Sequence, residues 1–205
     1  MTTVASELTT DLTIGAPDLV VLPHARSVFQ LLPVVPRVIV DMAWELYLSA
    51  FEELRTLACQ RHVLHRHEFD DTMTDARITK FLGFDGPVLT SLAIRTTDLD
   101  AVPLVSPEYF NARYPRQYAA RSVYYIGFFA VRVDYQGTGA LLELMHALMD
   151  GVPADAVVGM DISGVRKSMH LQKAVGRMAR TISPTARTVK LDEQSYYAYE
   201  LSPTD

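Results

Sequence analysis

The stretch of this sequence with the clearest capacity for ligand chemistry is a glycine-containing turn within residues 131–140, VRVDYQGTGA. It follows the apolar run 123–131, whose aromatic and β-branched residues predict a buried strand. Apolar residues then recur at helical spacing, which predicts a helix that begins near Gly137. A helix N-terminus presents unpaired backbone N–H groups, and glycines let a ligand approach them. The turn therefore predicts an anion site, typically for phosphate, with a simple strand-to-helix turn as the alternative.

Two residues are candidates for proton transfer. Asp161 follows the short apolar run 156–160, and His170 lies on a predicted helix over 165–179. A histidine has a pKa that suits proton transfer near neutral pH. The structural alternatives are a helix cap for Asp161 and a packed or solvent-exposed side chain for His170.

A third candidate is the segment 61–71, RHVLHRHEFDD, which is rich in imidazoles and carboxylates. Side chains three or four residues apart share a helix face and can ligate zinc. The segment also carries two arginines and shows no clear four-ligand spacing. We therefore interpret it as a solvated connection between two helices and predict no metal site.

The elements that must position these residues follow from apolar periodicity and turn residues. In chain order, the sequence predicts a strand at 27–32, one long helix face from Ile39 to Ala58, a helix at 66–75 with Phe69 and Met73 inward, a hairpin of strands 78–84 and 88–96, the central strand 123–133 with its helix, a strand at 156–160, a helix at 165–179, and closing strands at 188–191 and 195–201.

A segment at 98–121 interrupts these strands. Ser106 as a cap and Pro107 at the first helical position predict a short helix there. Its aromatic residues indicate a lid or a wall of a substrate pocket, with a packed surface helix as the alternative. Taken together, the elements predict a mixed α/β fold with a central, mostly antiparallel sheet flanked by helices. We expect a flexible arm over 1–24 and one domain over 25–205.

Composition narrows the function classes. The chain has 205 residues, a net charge of −5 and 49% hydrophobic residues, which is typical of one globular domain. It has no basic run of the kind that binds nucleic acid and no apolar run long enough to span a membrane. Cys59 is the only cysteine, so no disulfide can form within the chain. The N-terminus lacks the pattern of a signal peptide, and we expect a cytoplasmic protein.

The turn and the order of elements together resemble the GNAT acyltransferase superfamily. That family's signature is a strand ending in apolar-x-apolar, then Gln or Arg, two residues, Gly, one residue, and Gly or Ala. Val131, Val133, Gln136 and Gly139 stand at the matching positions. Leu141 occupies the last position and departs from the pattern.

The resemblance implies that acetyl-CoA or another acyl-CoA binds as co-substrate. Backbone N–H groups from Gln136 to Leu141 would hold the pyrophosphate, and backbone groups of Val131 to Val133 would pair with the pantetheine arm. The residues of this implied cofactor site are Val131, Arg132, Val133, Gln136, Gly137, Thr138, Gly139, Ala140 and Leu141.

The resemblance also identifies two catalytic positions at which this chain differs. The glutamate base of many such enzymes corresponds to a position near Gly127, and the tyrosine that protonates the thiolate corresponds to Gln172. Asp161 and His170 are the predicted substitutes, and an ordered water is the third alternative for the base. The segment 61–71 would border the acceptor pocket, where Glu68 or His65 would touch substrate.

The sequence therefore predicts an acyl-CoA-dependent N-acyltransferase. It would move an acetyl or longer acyl group to a small amine or an amino-acid-like acceptor. The alternative is a non-catalytic acyl-CoA-binding or sensing module with the same fold. The acceptor and the acyl chain length stay open, and a homodimer is among the assembly states left open.

Overall fold

The computed structural model describes residues 18–20, 28–103, 105–164 and 171–200. Its helices and strands, in chain order, are β1 (Asp18–Val20), β2 (Val28–Leu32), α1 (Arg37–Phe51), α2 (Leu54–Leu57), α3 (Arg66–Thr74), β3 (Thr79–Asp85), β4 (Val88–Thr96), α4 (Pro107–Arg113), α5 (Pro115–Ala119), β5 (Val123–Val131), α6 (Ala140–Met149), β6 (Val157–Met160) and α7 (Leu171–Ile182). Short 3-10 turns cover Leu99–Ala101 and Val133–Tyr135.

The six strands form one sheet in the order β1-β2-β3-β4-β5-β6. Neighbours from β1 to β5 pair antiparallel, whereas β5 and β6 pair in parallel. A parallel pair needs a long crossover connection, and α6 lies within it. The predicted mixed α/β fold with a mostly antiparallel sheet flanked by helices is confirmed.

Helices cover both faces of the sheet and bury two apolar cores. On one face, α1 and α3 bring Tyr47 and Phe69 against β3, β4 and β5. On the other face, α6 buries Leu144 against Phe81 of β3. A smaller cluster holds α4 to β5 through Phe110. Because β5 contacts all three clusters, it is the strand whose position the core fixes best.

Several local predictions are confirmed. The helix at 66–75 is α3 with Phe69 and Met73 buried, and the hairpin at 78–96 is β3–β4. The Ser106 hydroxyl accepts a hydrogen bond from the Tyr109 N–H at 3.1 Å, which caps α4 as predicted. Each of these features depends on neighbouring residues, which is why the sequence pattern reveals them.

The predicted long helix to Ala58 is wrong, because α1 ends at Phe51 and a separate turn, α2, follows. Leu54 stays buried, but Leu57 is 56% exposed. No glycine or proline marks the break, so apolar spacing continues across it and conceals it.

The predicted closing strands are also wrong: no residue from 188 to 200 lies in a strand, and 201 lies outside the described residues. Tyr197 and Tyr199 are 81% and 88% exposed. Strand-type composition favours a strand only where a partner strand and a packing surface exist.

The ends of other predicted elements also shift. Asp18–Val20 pairs with β2, whereas the sequence predicts no helix or strand in that part of the expected arm. The central strand ends at Val131, because Val133 belongs to a 3-10 turn. Helix α7 runs to Ile182, and residues 165–170 of the helix predicted there lie outside the described residues. Among the described helices, none is both long and apolar enough to cross a bilayer.

Candidate functional site

The glycine turn has the backbone conformation that only glycine adopts easily. Gly137 has φ +80° and Gly139 has φ +100°, and Gly139 is the cap residue of α6. A side chain at either position would strain the backbone. No atom lies within 4 Å of a Cβ added at Gly139, so the space above this turn is open.

The turn also carries unpaired donors. Among the described residues, the N–H groups of Gly137, Gly139 and the first turn of α6, Ala140 to Leu142, donate to no carbonyl. Gln136 and Thr138 differ, because their N–H groups donate to Val133 and Tyr135 within the turn. Five N–H groups at or beside the positive end of the α6 dipole therefore have no carbonyl partner, which is the arrangement that binds an anion.

A split in the sheet leads to this turn. Strand β6 ends at Met160 opposite Ile126, whereas β5 continues to Val131. The Arg132 N–H donates to the Thr90 carbonyl of β4 at 2.8 Å. Backbone groups alternate in direction along an antiparallel strand, so those of Phe129 and Val131 point away from β4 into the split. Of the residues predicted to hold a pantetheine arm, Val131 has its backbone groups free, whereas the Arg132 N–H is already engaged.

Gly127 lies at a bulge where the split begins. Ile94 of β4 pairs with Phe128 and Arg95 pairs with Ile126, so Gly127 is an extra residue on β5. A Cβ at Gly127 would lie 2.7 Å from the Ile94 Cδ1 atom. A side chain at Gly127 would therefore press on the end of the Ile94 side chain, and the bulge reverses the direction of the backbone groups at the point where β6 ends.

Asp161 lies at the mouth of the split, immediately after β6. It is exposed, and its carboxylate accepts a hydrogen bond from the Tyr125 hydroxyl at 3.1 Å. Burial raises the pKa of Tyr125, and the adjacent carboxylate of Asp161 raises it further. Tyr125 therefore stays protonated and acts as a fixed donor that orients Asp161.

The insert at 98–121 forms a wall behind this tyrosine. Phe110 of α4 packs edge-on against the Tyr125 ring, with centroids 6.3 Å apart and planes at 84°. Gly159 of β6 pairs with Tyr125, and a Cβ there would lie 3.0 Å from the ring. The insert thus supports one side of the split.

The predicted site residues separate into three groups. Val131 ends β5 beside the split, and Gly137, Gly139, Ala140 and Leu141 lie at the turn and the first turn of α6, with N–H groups that donate to no carbonyl, whereas those of Gln136 and Thr138 are engaged. The Arg132 guanidinium instead pairs with Asp134 at 3.1 Å, and the Val133 side chain is 61% exposed. Asp161 is described, whereas His170 lies outside the described residues, so the structure does not relate the two.

The segment 61–71 forms the start of α3 and is tied by ion pairs. Arg61 binds Glu68 through two hydrogen bonds of 2.5 and 2.8 Å, and Glu68 also accepts one from the His65 N–H. Chiefly through Arg61, the pKa of Glu68 falls to about 2. Arg66 pairs with Asp70 at 2.8 Å. In the part of the chain that the structure describes, no three metal-ligating side chains are grouped together.

Sequence reasoning undervalued two residues of the site. Tyr125 lies within an apolar strand pattern, and its contact with Asp161, 36 positions away, has no local signal in the sequence. Gly127 did carry a signal, because an isolated glycine inside a strand pattern marks a bulge or a close backbone approach.

Neither a protein-family model nor a curated protein sequence matches this chain. Solved structures do share the course of its backbone. An aminoglycoside acetyltransferase, meta-AAC0020 from an uncultured soil metagenomic sample, in complex with sisomicin, is 14% identical with a TM-score of 0.46, and the match covers 84% of this chain and 95% of that one.

The aminoglycoside N-acetyltransferase AAC(6')-Iy in complex with CoA is 13% identical with a TM-score of 0.47, over 85% of this chain and 100% of that one. An integron cassette protein from V. cholerae is 11% identical with a TM-score of 0.43, over 84% and 92%. At these sequence identities and TM-scores, the similarity concerns only the fold of the backbone.

Proposed function

We propose that this protein is an acyl-CoA-dependent N-acyltransferase that acts on a small amine or amino-acid-like acceptor. One observation carries the proposal. The backbone groups of Phe129 and Val131 are unpaired where β5 extends past β6, and five unpaired N–H groups, those of Gly137, Gly139 and Ala140 to Leu142, follow along the chain. A long ligand with an amide-containing arm and a diphosphate at one end matches this path.

The chain offers CoA a fitting site made mostly of backbone atoms. The N–H groups of Gly137, Gly139 and the first turn of α6 would bind the pyrophosphate, and the open space above Gly139 admits it. The free groups of Val131 and Phe129 would hold the arm in the manner of an added strand. When bound, acyl-CoA would supply the acyl group as an activated thioester, with acetyl as the default.

Leu141 replaces the small residue of the family signature, yet it does not obstruct the turn. Its N–H is unpaired and its side chain is partly exposed on the first turn of α6. The contribution of Leu141 to the anion site is its backbone donor, which any residue except proline provides.

Asp161 would accept the proton of the attacking amine, directly or through one water. Its carboxylate is exposed at the mouth of the split, and Tyr125 holds it in one orientation. A positioned base of this kind typically speeds a reaction by roughly 10²- to 10⁴-fold. His170 remains a prediction for a second proton-transfer group.

The binding site is tested by placing a negative charge at Gly139. The Gly139→Glu variant puts a carboxylate where the phosphate would lie, so CoA affinity should fall at least a hundredfold in calorimetric titration. Gly151→Glu is the matched control. Gly151 also has positive φ (+68°) with open space around it, but it lies at the opposite end of α6.

Both variants introduce comparable backbone strain, about 1–2 kcal/mol, so both should melt at similarly lowered temperatures. Only Gly139→Glu should lose CoA binding. Equal CoA affinity in the two folded variants would refute the assignment of the site.

A non-catalytic acyl-CoA-binding module is the second candidate. It is favoured by Gly127 and Gln172, which stand where the family's base and acid would be. Release of free thiol from acetyl-CoA, measured against a panel of amines, separates the two functions. Turnover supports the enzyme, whereas CoA binding with no turnover across the panel supports the module.

A further inference from the structure

One tyrosine side chain joins the glycine turn to a distant part of the sheet. Tyr135 is the residue before Gln136, and its hydroxyl donates a hydrogen bond to the Asp85 carboxylate at 3.1 Å. Asp85 is the last residue of β3, at the tip of the β3–β4 hairpin, and lies 50 positions away in the chain. The hairpin therefore holds the start of the turn through a side-chain contact that CoA binding, as described above, does not use.

Tyr135 is also the first residue of the β-turn that presents Gly137. Its carbonyl accepts hydrogen bonds from the Thr138 N–H at 3.3 Å and from the Thr138 hydroxyl at 2.7 Å. Gln136 has φ −68° and ψ 135°, and Gly137 has φ +80°, which are values typical of the two central residues of a type II turn. The position of Tyr135 therefore sets the direction of the Gly137 N–H.

A turn that contains two glycines is costly to order when a ligand binds. Gly137 and Gly139 both have positive φ, and glycine loses more backbone freedom on being fixed than any other residue. A ligand binds more tightly to a turn that is ordered beforehand. The hydrogen bond to Asp85 raises the pKa of Tyr135, so the hydroxyl keeps its proton and remains a donor.

We propose that Tyr135 and Asp85 are positioning residues for the diphosphate of the ligand, an inference that rests on the proposed function. Their hydrogen bond holds the glycine turn, before the ligand binds, in the conformation in which its N–H groups meet the diphosphate. The two side chains act through the backbone of the turn. Their contribution is to the affinity for the diphosphate and not to proton transfer at Asp161.

The test is calorimetric titration with two probes, CoA itself and 3'-phospho-ADP, which has the same diphosphate but no thiol arm. Tyr135→Phe removes only the hydroxyl. It should raise the dissociation constants of both probes by the same factor, roughly two- to tenfold, the loss expected for one hydrogen bond. The kcat at saturating acetyl-CoA should stay nearly unchanged. A role in fold stability alone would lower the melting temperature and leave both dissociation constants unchanged.

Two substitutions of Asp85 separate the hydrogen bond from the charge. Asp85→Asn and Asp85→Ala both remove the negative charge, but only asparagine keeps a side-chain oxygen that accepts a hydrogen bond from Tyr135. Asp85→Ala should therefore bind both probes more weakly than Asp85→Asn does. Adding Tyr135→Phe to Asp85→Ala should cause no further loss, because the bond is already absent.

Tyr196→Phe is the matched control. The Tyr196 hydroxyl also donates to a side chain distant in sequence, the Oε1 atom of Gln60, at 3.0 Å. Neither residue belongs to the glycine turn or to the hairpin that carries Asp85. This variant should bind both probes as the wild-type protein does.

The outcomes separate the inference from the proposed function. Wild-type protein that binds neither probe refutes the proposed function and the inference with it. Wild-type protein that binds both, with Tyr135→Phe binding them equally well, overturns the inference alone. Equal affinities of Asp85→Asn and Asp85→Ala also overturn it, because the acceptor oxygen would then have no effect. So does a Tyr135→Phe variant that loses affinity for CoA only, because the hydroxyl would then act on the thiol arm.

Discussion

Gly127 is the position where one added methyl group tests the geometry of the split. A Cβ on Gly127 would lie 2.7 Å from Cδ1 and 3.1 Å from Cγ1 of Ile94. Ile94 is 7% exposed and belongs to the core beneath α1, so its side chain has little room to move. We expect Gly127→Ala to lower the free energy of unfolding by about 1–3 kcal/mol, the usual cost of overpacking a core.

A compensating change makes the prediction specific to this contact. Ile94→Val removes Cδ1, the atom at 2.7 Å, and should by itself cost about 0.5–1.5 kcal/mol. If the contact is the cause, the double variant should be more stable than the sum of the two single effects predicts. We expect a coupling of about 1 kcal/mol.

Urea denaturation of the wild type, both single variants and the double variant measures this coupling. The same four proteins should be assayed for CoA affinity and for kcat. Because the bulge lies at the end of the split nearest Asp161, the proposed base, Gly127→Ala should lower kcat more than it weakens CoA binding. Additive effects on stability, or a Gly127→Ala variant as stable as the wild type, would show that the bulge does not press on Ile94.

Two further predictions concern carboxylates. Asp161→Asn should lower kcat, measured by thiol release, by roughly 10²- to 10⁴-fold. CoA affinity, measured by calorimetry, should stay nearly intact. A near-normal kcat would show that water or His170, and not Asp161, is the base. Glu68 has its pKa lowered from 4.5 to about 2, so its contribution to stability should be complete above pH about 5 and disappear as the pH falls towards 2. In urea denaturation, wild type should therefore be more stable than Glu68→Gln above pH about 5, and this difference should shrink as the pH falls towards 2. A difference that does not change with pH would contradict this reasoning.

The sequence predicted best the features that depend on adjacent residues. The cap at Ser106, the hairpin turn at Gly86 and the glycine turn before α6 each arise from a few neighbouring side chains. The amphipathic face of α3 is local in the same sense, because a helix places Phe69 and Met73 on one side whatever surrounds it.

The features that the sequence did not reveal depend on distant partners. The 188–200 segment has strand-type residues, yet it pairs with no strand because pairing is decided by the rest of the sheet. The contact between Tyr125 and Asp161 joins residues 36 positions apart, and only the parallel register of β5 with β6 brings them together. The engaged N–H of Arg132 likewise depends on β4.

The proposed site uses backbone groups to bind the anion and side chains to transfer protons, and this difference explains which parts of it can be recognised in the sequence. The anion site consists of N–H groups that every residue except proline supplies, so the sequence must preserve only the glycines whose φ values aim those groups. Gly137 and Gly139 satisfy that requirement, so the anion-binding turn can be recognised from the sequence. Proton transfer needs only one acid or base near the right place, and several positions around a split can supply it. Asp161, which reaches the split from the end of β6, is therefore compatible with the absence of a carboxylate at Gly127.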